Sequence, residues 1–179
     1  MAVTLLLGGA ASGKSRTATA LAVSSGSPVT LLVTAEALDE EMARRIARHR
    51  EERPMGWTVV EEPLALTDAI ERAAEGDVLI VDCLTLWVSN LLADEAMTDE
   101  DVLARAAATA KAAAVRRAAA IVVSNEVGAG IVPANSLARR YRDLLGRVNA
   151  VFAQEAATVA LMVAGRAVTL SDPLTLEMR

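Results

Sequence analysis

The sequence predicts an α/β fold in one domain, with a mainly parallel sheet and helices on both faces. Three observations predict it. Short apolar runs alternate with longer segments of helical spacing along the whole chain. Those runs are continuously apolar, as strands covered on both faces must be. Aromatic residues make up 2% of a chain that is 53% hydrophobic, so the core is assembled from Val, Leu, Ile, Met and Ala. At 179 residues the chain can bury one sizeable core but is too short for two ordinary domains, which makes residues 1–179 a single unit.

The elements follow in order. Val3 to Leu7 is an apolar, partly β-branched run ending in Gly8-Gly9, and Ser15 to about Val23 reads as an Ala-rich helix. Val29 to Val33 is a second strand after Pro28. Asp39 to Arg53 then carries charges and apolar positions at helical spacing until Pro54 and Gly56 stop it. Trp57 to Val60 is a third strand, Leu64 to Ala74 a helix, and Val78 to Val81 a fourth strand ending at Asp82. Helices over Thr85 to Leu92 and about Asp99 to Ala118 precede a strand at Ala120 to Val123 and a polar turn at Ser124-Asn125-Glu126. Gly128, Gly130 and Pro133 mark a loop. Asn135 to about Ala156 is an amphipathic helix with Leu137, Tyr141, Leu144, Leu145 and Val148 on one stripe, and Val159 to Val163 is the last clear strand. Right-handed crossovers between such strands place helices on both faces.

Bulk properties exclude several classes of function. A net charge of −5 provides no basic field for a nucleic-acid backbone. Cys83 is the only cysteine, which rules out an intrachain disulfide and a cysteine zinc cluster and suits a reducing cytoplasm. The first residues lack the positive n-region of a signal peptide, and no stretch reaches the roughly 18 apolar residues of a membrane span. A soluble cytoplasmic protein is expected.

Gly8-Gly9-Ala10-Ala11-Ser12-Gly13-Lys14-Ser15 satisfies G-x-x-x-x-G-K-[ST] between an apolar strand and a helix start, where the chemistry needs it. Glycines let backbone N–H groups curl around phosphate oxygens, the helix N-terminus adds partial positive charge, and Lys14 supplies a point charge for the outer phosphates. The Ser15 hydroxyl can ligate Mg²⁺. The chain has two lysines, Lys14 and Lys111, and uses arginine elsewhere, so a lysine kept in this loop carries weight. With this loop in place the expected architecture is the P-loop, RecA-like three-layer fold.

Asp82 ends an apolar strand and emerges at the carboxyl edge of a parallel sheet, where ligands bind. Two readings stand there: a contact to Mg²⁺ or nucleotide, or an N-cap for the next helix. Glu126 reaches the same edge, as a metal- or hydroxyl-orienting group or as a turn residue. Arg139, Arg140, Arg142 and Arg147 read as the solvated face of an amphipathic helix. In the helix beginning at Asp39, acids fill the first turn and cations the last, and Glu40 with Arg44 and Glu41 with Arg45 form i,i+4 pairs. Leu38, Met42, Ile46 and His49 share one stripe, which on spacing alone makes the single histidine a packed, hydrogen-bonded one.

Five segments together resemble successive motifs of the bifunctional adenosylcobinamide kinase and adenosylcobinamide-phosphate guanylyltransferase family. They are the phosphate loop, Arg45 to Arg50, Asp82 to Leu91, Ser124 to Pro133, and Leu137 to Asn149. They stand in the family's order and cover nearly the whole chain. The resemblance implies that His49 is a nucleophile, guanylylated by GTP, which passes GMP to adenosylcobinamide phosphate. An ordinary imidazole is largely deprotonated at neutral pH and can attack the α-phosphorus. It also implies nucleotide contacts at Thr34, Ala35, Glu36, Arg50, Glu51, Glu52, Arg53, Glu61 and Asp82, with Ser15 and Asp82 at Mg²⁺. GTP, ATP, adenosylcobinamide and its phosphate are the implied substrates, and a homotrimer the implied assembly. The apolar stretch Leu84 to Leu92, with an exposed Trp87, is the expected interface. One departure stands out: Ala11 occupies a loop position where the family usually has arginine. A plain P-loop kinase and a nucleotide-sensing module are the competing readings.

Overall fold

The structure, a computed structural model, describes residues 2–37, 39–51 and 53–172, and the side chains of all of these except Glu41 and Arg45. Leu38, Glu52 and the Glu41–Arg45 pair named above therefore lie outside what is described. The elements are β1 (Val3–Gly8), α1 (Lys14–Ser24), β2 (Val29–Val33), α2 (Glu40–Glu51), β3 (Thr58–Glu61), α3 (Leu66–Arg72), β4 (Val78–Asp82), α4 (Leu84–Leu91), α5 (Asp99–Ala114), β5 (Ala120–Val123), α6 (Ser136–Glu155), β6 (Ala156–Val163) and β7 (Arg166–Leu170). All strands join one sheet in the order β3-β2-β4-β5-β1-β6-β7. Every pairing is parallel except β6 with β7.

Because side chains alternate along a strand, each apolar run supplies both faces of the sheet. Leu6, Leu31, Val33, Ile80, Ile121 and Val123 face α1, which meets them with Ala18 and Ala22, one helical turn apart. Leu5, Leu7, Leu32, Leu79, Val81 and Val122 face the other way, into a larger core with Leu66, Ile70, Trp87, Val102, Leu144 and Phe152 from α3 to α6. Among the described residues no helix is long and apolar enough to cross a membrane.

Several expectations are corrected. Trp87 is 1% exposed, not an interface residue: its Nε1–H donates to the Leu64 carbonyl at 3.0 Å, and Leu84, Val88 and Leu91 are buried beside it. The stretch is apolar because α4 lies inside the larger core. Leu137 is 57% exposed although it continues the buried stripe of α6. A helix of 20 residues is about 30 Å long and the six-residue β1 about 20 Å, so the first turn of α6 overhangs the carboxyl edge.

Strand β7 was not expected. It follows a two-residue turn in which Ala164 (φ 49°) and Gly165 (φ 74°) both take the left-handed conformation that tight hairpins require. Strand β6 starts at Ala156, earlier than expected, because Val3 of β1 pairs with it there. Helix α5 ends at Ala114, and Arg116 turns under the sheet's amino edge. Its guanidinium donates to the carbonyls of Ile70, Ala73, Ala74 and Asp77 at 2.9, 3.2, 2.6 and 3.2 Å, closing the end of α3.

Candidate functional site

Strand register assembles the site. Leu6 pairs with Val123, Val123 with Asp82, Asp82 with Val33, and Val33 with Glu61, one continuous rung across five strands. Side chains on a rung share a face, and Leu6, Val33 and Val123 belong to the face that α1 covers. Asp82 and Glu61 therefore emerge on the phosphate-loop side at the carboxyl edge. β4 lies two strand spacings from β1, about 10 Å, and β2 three, about 14 Å.

The phosphate loop starts two residues beyond Leu6. Gly8 has φ 149°, and a Cβ there would lie 2.4 Å from the Met162 carbonyl oxygen and 2.8 Å from Ser12 Oγ, so only glycine fits between β1 and β6. Gly13, at φ 99°, precedes α1, and a Cβ on it would come within 3.3 Å of Gly165 Cα. The β6–β7 turn thus buttresses the loop, and the Gly165 N–H donates to the Ser12 carbonyl at 2.9 Å. Sequence reading missed this support because Ala164 disguises the turn. Lys14 is buried, and its Nζ donates to the carbonyls of Gly8 (2.9 Å) and Gly9 (2.7 Å) and to Ser12 Oγ (3.4 Å). No acid stands in the first turn of α1, so the helix itself offers no carboxylate to the positive end of its dipole.

Beyond the rung, Thr34 is fully buried. Its Oγ1 donates to the Cys83 carbonyl (2.6 Å) and accepts from the Cys83 N–H (3.0 Å), while its own carbonyl accepts from Asn90 Nδ2 (2.8 Å). Asn90 also reaches the Pro63 carbonyl (3.2 Å), so it ties together the loops after β2 and β3. Asp82 does not cap α4: the N-cap is Cys83, without a side-chain capping hydrogen bond. Glu126 is a turn residue, its Oε1 accepting the Gly128 N–H at 2.6 Å, and its N–H donates to the Gly8 carbonyl at 3.1 Å. Behind it Ser124 Oγ donates to Asn149 Oδ1 (2.6 Å), and Asn149 Nδ2 donates to the Asn125 carbonyl (3.0 Å). Spacing did not reveal that buried pair, although Asn149 closes one of the motifs.

Helix α2 lies over the β2–β3 end of the same face. A cavity of about 500 Å³ opens between them, lined by Ala35, Glu36, Ile46, Arg50 and Glu61 among others. Arg50 and Glu61 form an ion pair across it. Arg53 stands near both Glu61 and Asp82: partial burial, then the neighbouring Arg50 charge, lowers its pKa, while the two carboxylates oppose the shift. His49 is half-buried on the stripe with Met42 and Ile46, and among the described residues it makes no hydrogen bond or ion pair. The hydrogen-bonded core histidine that spacing suggested is not found. Glu51 is exposed on the same helix.

The structure thus brings together residues 8–15 as one loop, and Ala35, Glu36, Arg50 and Glu61 around one cavity, with Asp82 on the rung between. For Mg²⁺ the residues fit: Asp82 is half-buried at the edge with no side-chain hydrogen bond among the described residues, and Ser15 opens α1 after Lys14. No cluster of three acidic, cysteine or histidine ligands occurs among the described residues. Mg²⁺ needs none, since it takes one or two carboxylates together with substrate phosphates and water.

Comparison with known proteins adds a direct finding. Residues 4–170 match the family model described as cobinamide kinase / cobinamide phosphate guanyltransferase. The bifunctional adenosylcobalamin biosynthesis protein CobP of Pseudomonas aeruginosa is 44% identical over 172 residues, covering 95% of this chain and 98% of the relative. The corresponding CobU of Escherichia coli is 40% identical over 90% of this chain and 95% of its own length. Among solved structures the RadB recombinase superposes with a TM-score of 0.53 at 16% identity, over 89% of this chain and 73% of that one. At that identity it speaks for the RecA-like fold alone.

Proposed function

The chain belongs to the cobinamide kinase / cobinamide phosphate guanyltransferase family, and from that premise we propose how its residues divide the two reactions. It is a transferase of adenosylcobalamin biosynthesis. In the kinase step the phosphate loop and Lys14 hold the β- and γ-phosphates of GTP or ATP, and the aminopropanol hydroxyl of adenosylcobinamide attacks the γ-phosphorus. The O–P bond to the nucleoside diphosphate breaks as the new ester forms.

In the second reaction a ring nitrogen of His49 attacks the α-phosphorus of GTP, an N–P bond forms, and pyrophosphate leaves. A phosphate oxygen of adenosylcobinamide phosphate then attacks the same phosphorus, the N–P bond breaks, and adenosylcobinamide-GDP departs with His49 restored. Both departures build negative charge on phosphate oxygens, which loop N–H groups and Lys14 would stabilise. Ser15 and Asp82 would hold Mg²⁺, which when bound neutralises charge shared between phosphates. Ala35, Glu36, Arg50, Arg53 and Glu61 contact the nucleoside side, with the cavity beneath α2 as its seat, while the fully buried Thr34 holds the loop behind them. The enzyme works in the cytoplasm as a homotrimer, whose interface excludes Trp87.

One observation carries this reading: the rung that sets Glu61 and Asp82 on the phosphate-loop face, below the helix bearing an uncommitted His49. The test incubates protein with Mg²⁺ and GTP labelled at the α- or the γ-phosphate, then denatures it. Acid-labile, base-stable label from the α position alone, lost in His49→Ala, is expected. Nucleotide-binding protein that retains no label from either position refutes the His49 role.

A further inference from the structure

We propose that the segment joining β5 to α6, through Ile131, Val132 and Leu137, is the platform on which the corrinoid body of the acceptor rests. The proposal rests on the adenosylcobinamide reading above and locates the large substrate within it.

The first observation is position. The segment leaves the carboxyl end of β5, the strand next to β1, and its Glu126 N–H is bonded to the carbonyl of Gly8 at 3.1 Å. The segment therefore starts beside the phosphate loop, and a body resting further along it can reach the phosphates held there. The second is surface. Ile131 is 97% exposed, Val132 61% and Leu137 57%, three large aliphatic side chains within seven residues. Single exposed aliphatics are ordinary, whereas a cluster beside a site marks something that covers it.

The third is rigidity that owes nothing to those side chains. Glu126 Oε1 accepts the Gly128 N–H at 2.6 Å at one end of the segment. At the other, Asn135 Oδ1 accepts the Ala138 N–H at 3.0 Å, and Arg139 Nη1 donates to the carbonyls of Pro133 (2.9 Å) and Ala134 (2.6 Å). Backbone and polar groups shape the loop, so Ile131 and Val132 are displayed without being needed for the fold.

The fourth is charge. Residues 127–138 contain no charged side chain, in a chain where 23% of residues are charged. An uncharged aliphatic shelf offers nothing to a second nucleotide. It suits a large macrocycle rimmed with methyl groups and neutral amides, which has to bring one hydroxyl to a terminal phosphate while its bulk extends off the sheet edge. The overhanging first turn of α6 sets Leu137 at the outer side of that shelf.

The test compares wild type with the double variant Ile131→Ser/Val132→Ser, and with Leu21→Ser/Val23→Ser as a control on exposed aliphatics of α1. The KM for adenosylcobinamide in the kinase reaction is expected to rise about ten- to hundredfold in the first variant. The KM for GTP, the urea midpoint and the α-label taken up on His49 without acceptor stay at wild-type values. Retention of adenosylcobinamide in equilibrium dialysis, followed by its visible absorbance, falls in parallel. An unchanged corrinoid KM overturns the platform, as does an equal rise in the control. A smaller solution mass with unchanged KM overturns it in favour of a subunit contact. Wild-type protein that binds GTP yet never modifies adenosylcobinamide overturns the functional reading and the platform with it.

Discussion

Gly8→Ala tests the claim that β6 and the phosphate loop define each other. The new Cβ would sit 2.4 Å from the Met162 carbonyl oxygen, and Met162 is paired with Gly8 in the β1–β6 ladder, so neither backbone can yield alone. The φ of 149° adds strain for any L side chain. Together these cost about 2–4 kcal/mol. For a chain of this size that lowers Tm by roughly 4–16 °C. The Gly8 carbonyl also accepts Lys14 Nζ and the Glu126 N–H, so relieving the clash displaces the ammonium and weakens GTP binding at least about tenfold. Gly9→Ala is the internal control: its added Cβ meets nothing within 4 Å, and its cost stays within about 0.5 kcal/mol. Thermal unfolding and titration with a fluorescent GTP analogue read both effects. If Gly8→Ala matches Gly9→Ala in both assays, the argument from the β1–β6 contact is wrong.

Other expectations follow from the same structure. Trp87→Ala removes a fully buried indole and leaves the Leu64 carbonyl without its donor, so the urea midpoint falls by the equivalent of about 3–5 kcal/mol while light scattering gives an unchanged mass for the protein that remains folded. Arg116→Met strips donors from four carbonyls at the amino edge and costs about 2–4 kcal/mol, yet GTP affinity is retained because that edge is opposite the phosphate loop. Burial, then the Asp82 charge, pushes the Cys83 thiol from 9.0 up to about 11. The folded state therefore keeps a proton that the unfolded state releases, and this contribution to stability is full below pH 9 and lost as pH rises towards 11. Urea midpoints at pH 8, 9 and 10 decline less steeply in Cys83→Ala.

Where sequence reading succeeded, local chemistry and tertiary structure agreed. Gly8, Gly13 and Lys14 were legible because their motif stood between an apolar run and a helix start, and the buried strands because covered parallel strands are continuously apolar. It failed where tertiary contacts overrode local signals. Ala156 and Ala157 are poor strand formers drawn into β6 by pairing with β1, and Ala164 takes a left-handed turn that its side chain disfavours. Trp87 looked exposed because periodicity cannot tell an apolar helix at a subunit surface from one inside the core. His49 is the reverse case. Its spacing pointed to the interior, and only the order of the surrounding motifs pointed to chemistry.

Hydrogen-bond accounting separates side chains tied to neighbouring loops from those left open at the carboxyl edge. Arg139 and Arg140 stand in a family motif and carry charges a phosphate would attract, yet Arg139 holds the Pro133 and Ala134 carbonyls, and Arg140 holds Asp99 and the Met97 carbonyl. Thr34, Ser124 and Asn149 are likewise committed to neighbouring loops, so they position the carboxyl edge without donating to a ligand. Asp82 and His49 make no such commitment among the described residues, although both are half-buried. Buried polar groups find partners in folded proteins as a rule, and those left without one at a ligand-binding edge are the groups a ligand has to satisfy. The same accounting assigns the rigid strands to hold Asp82 and Glu61 at fixed register. It leaves His49 on α2, a helix with no fully buried side chain among its described residues, so the imidazole is only half-buried.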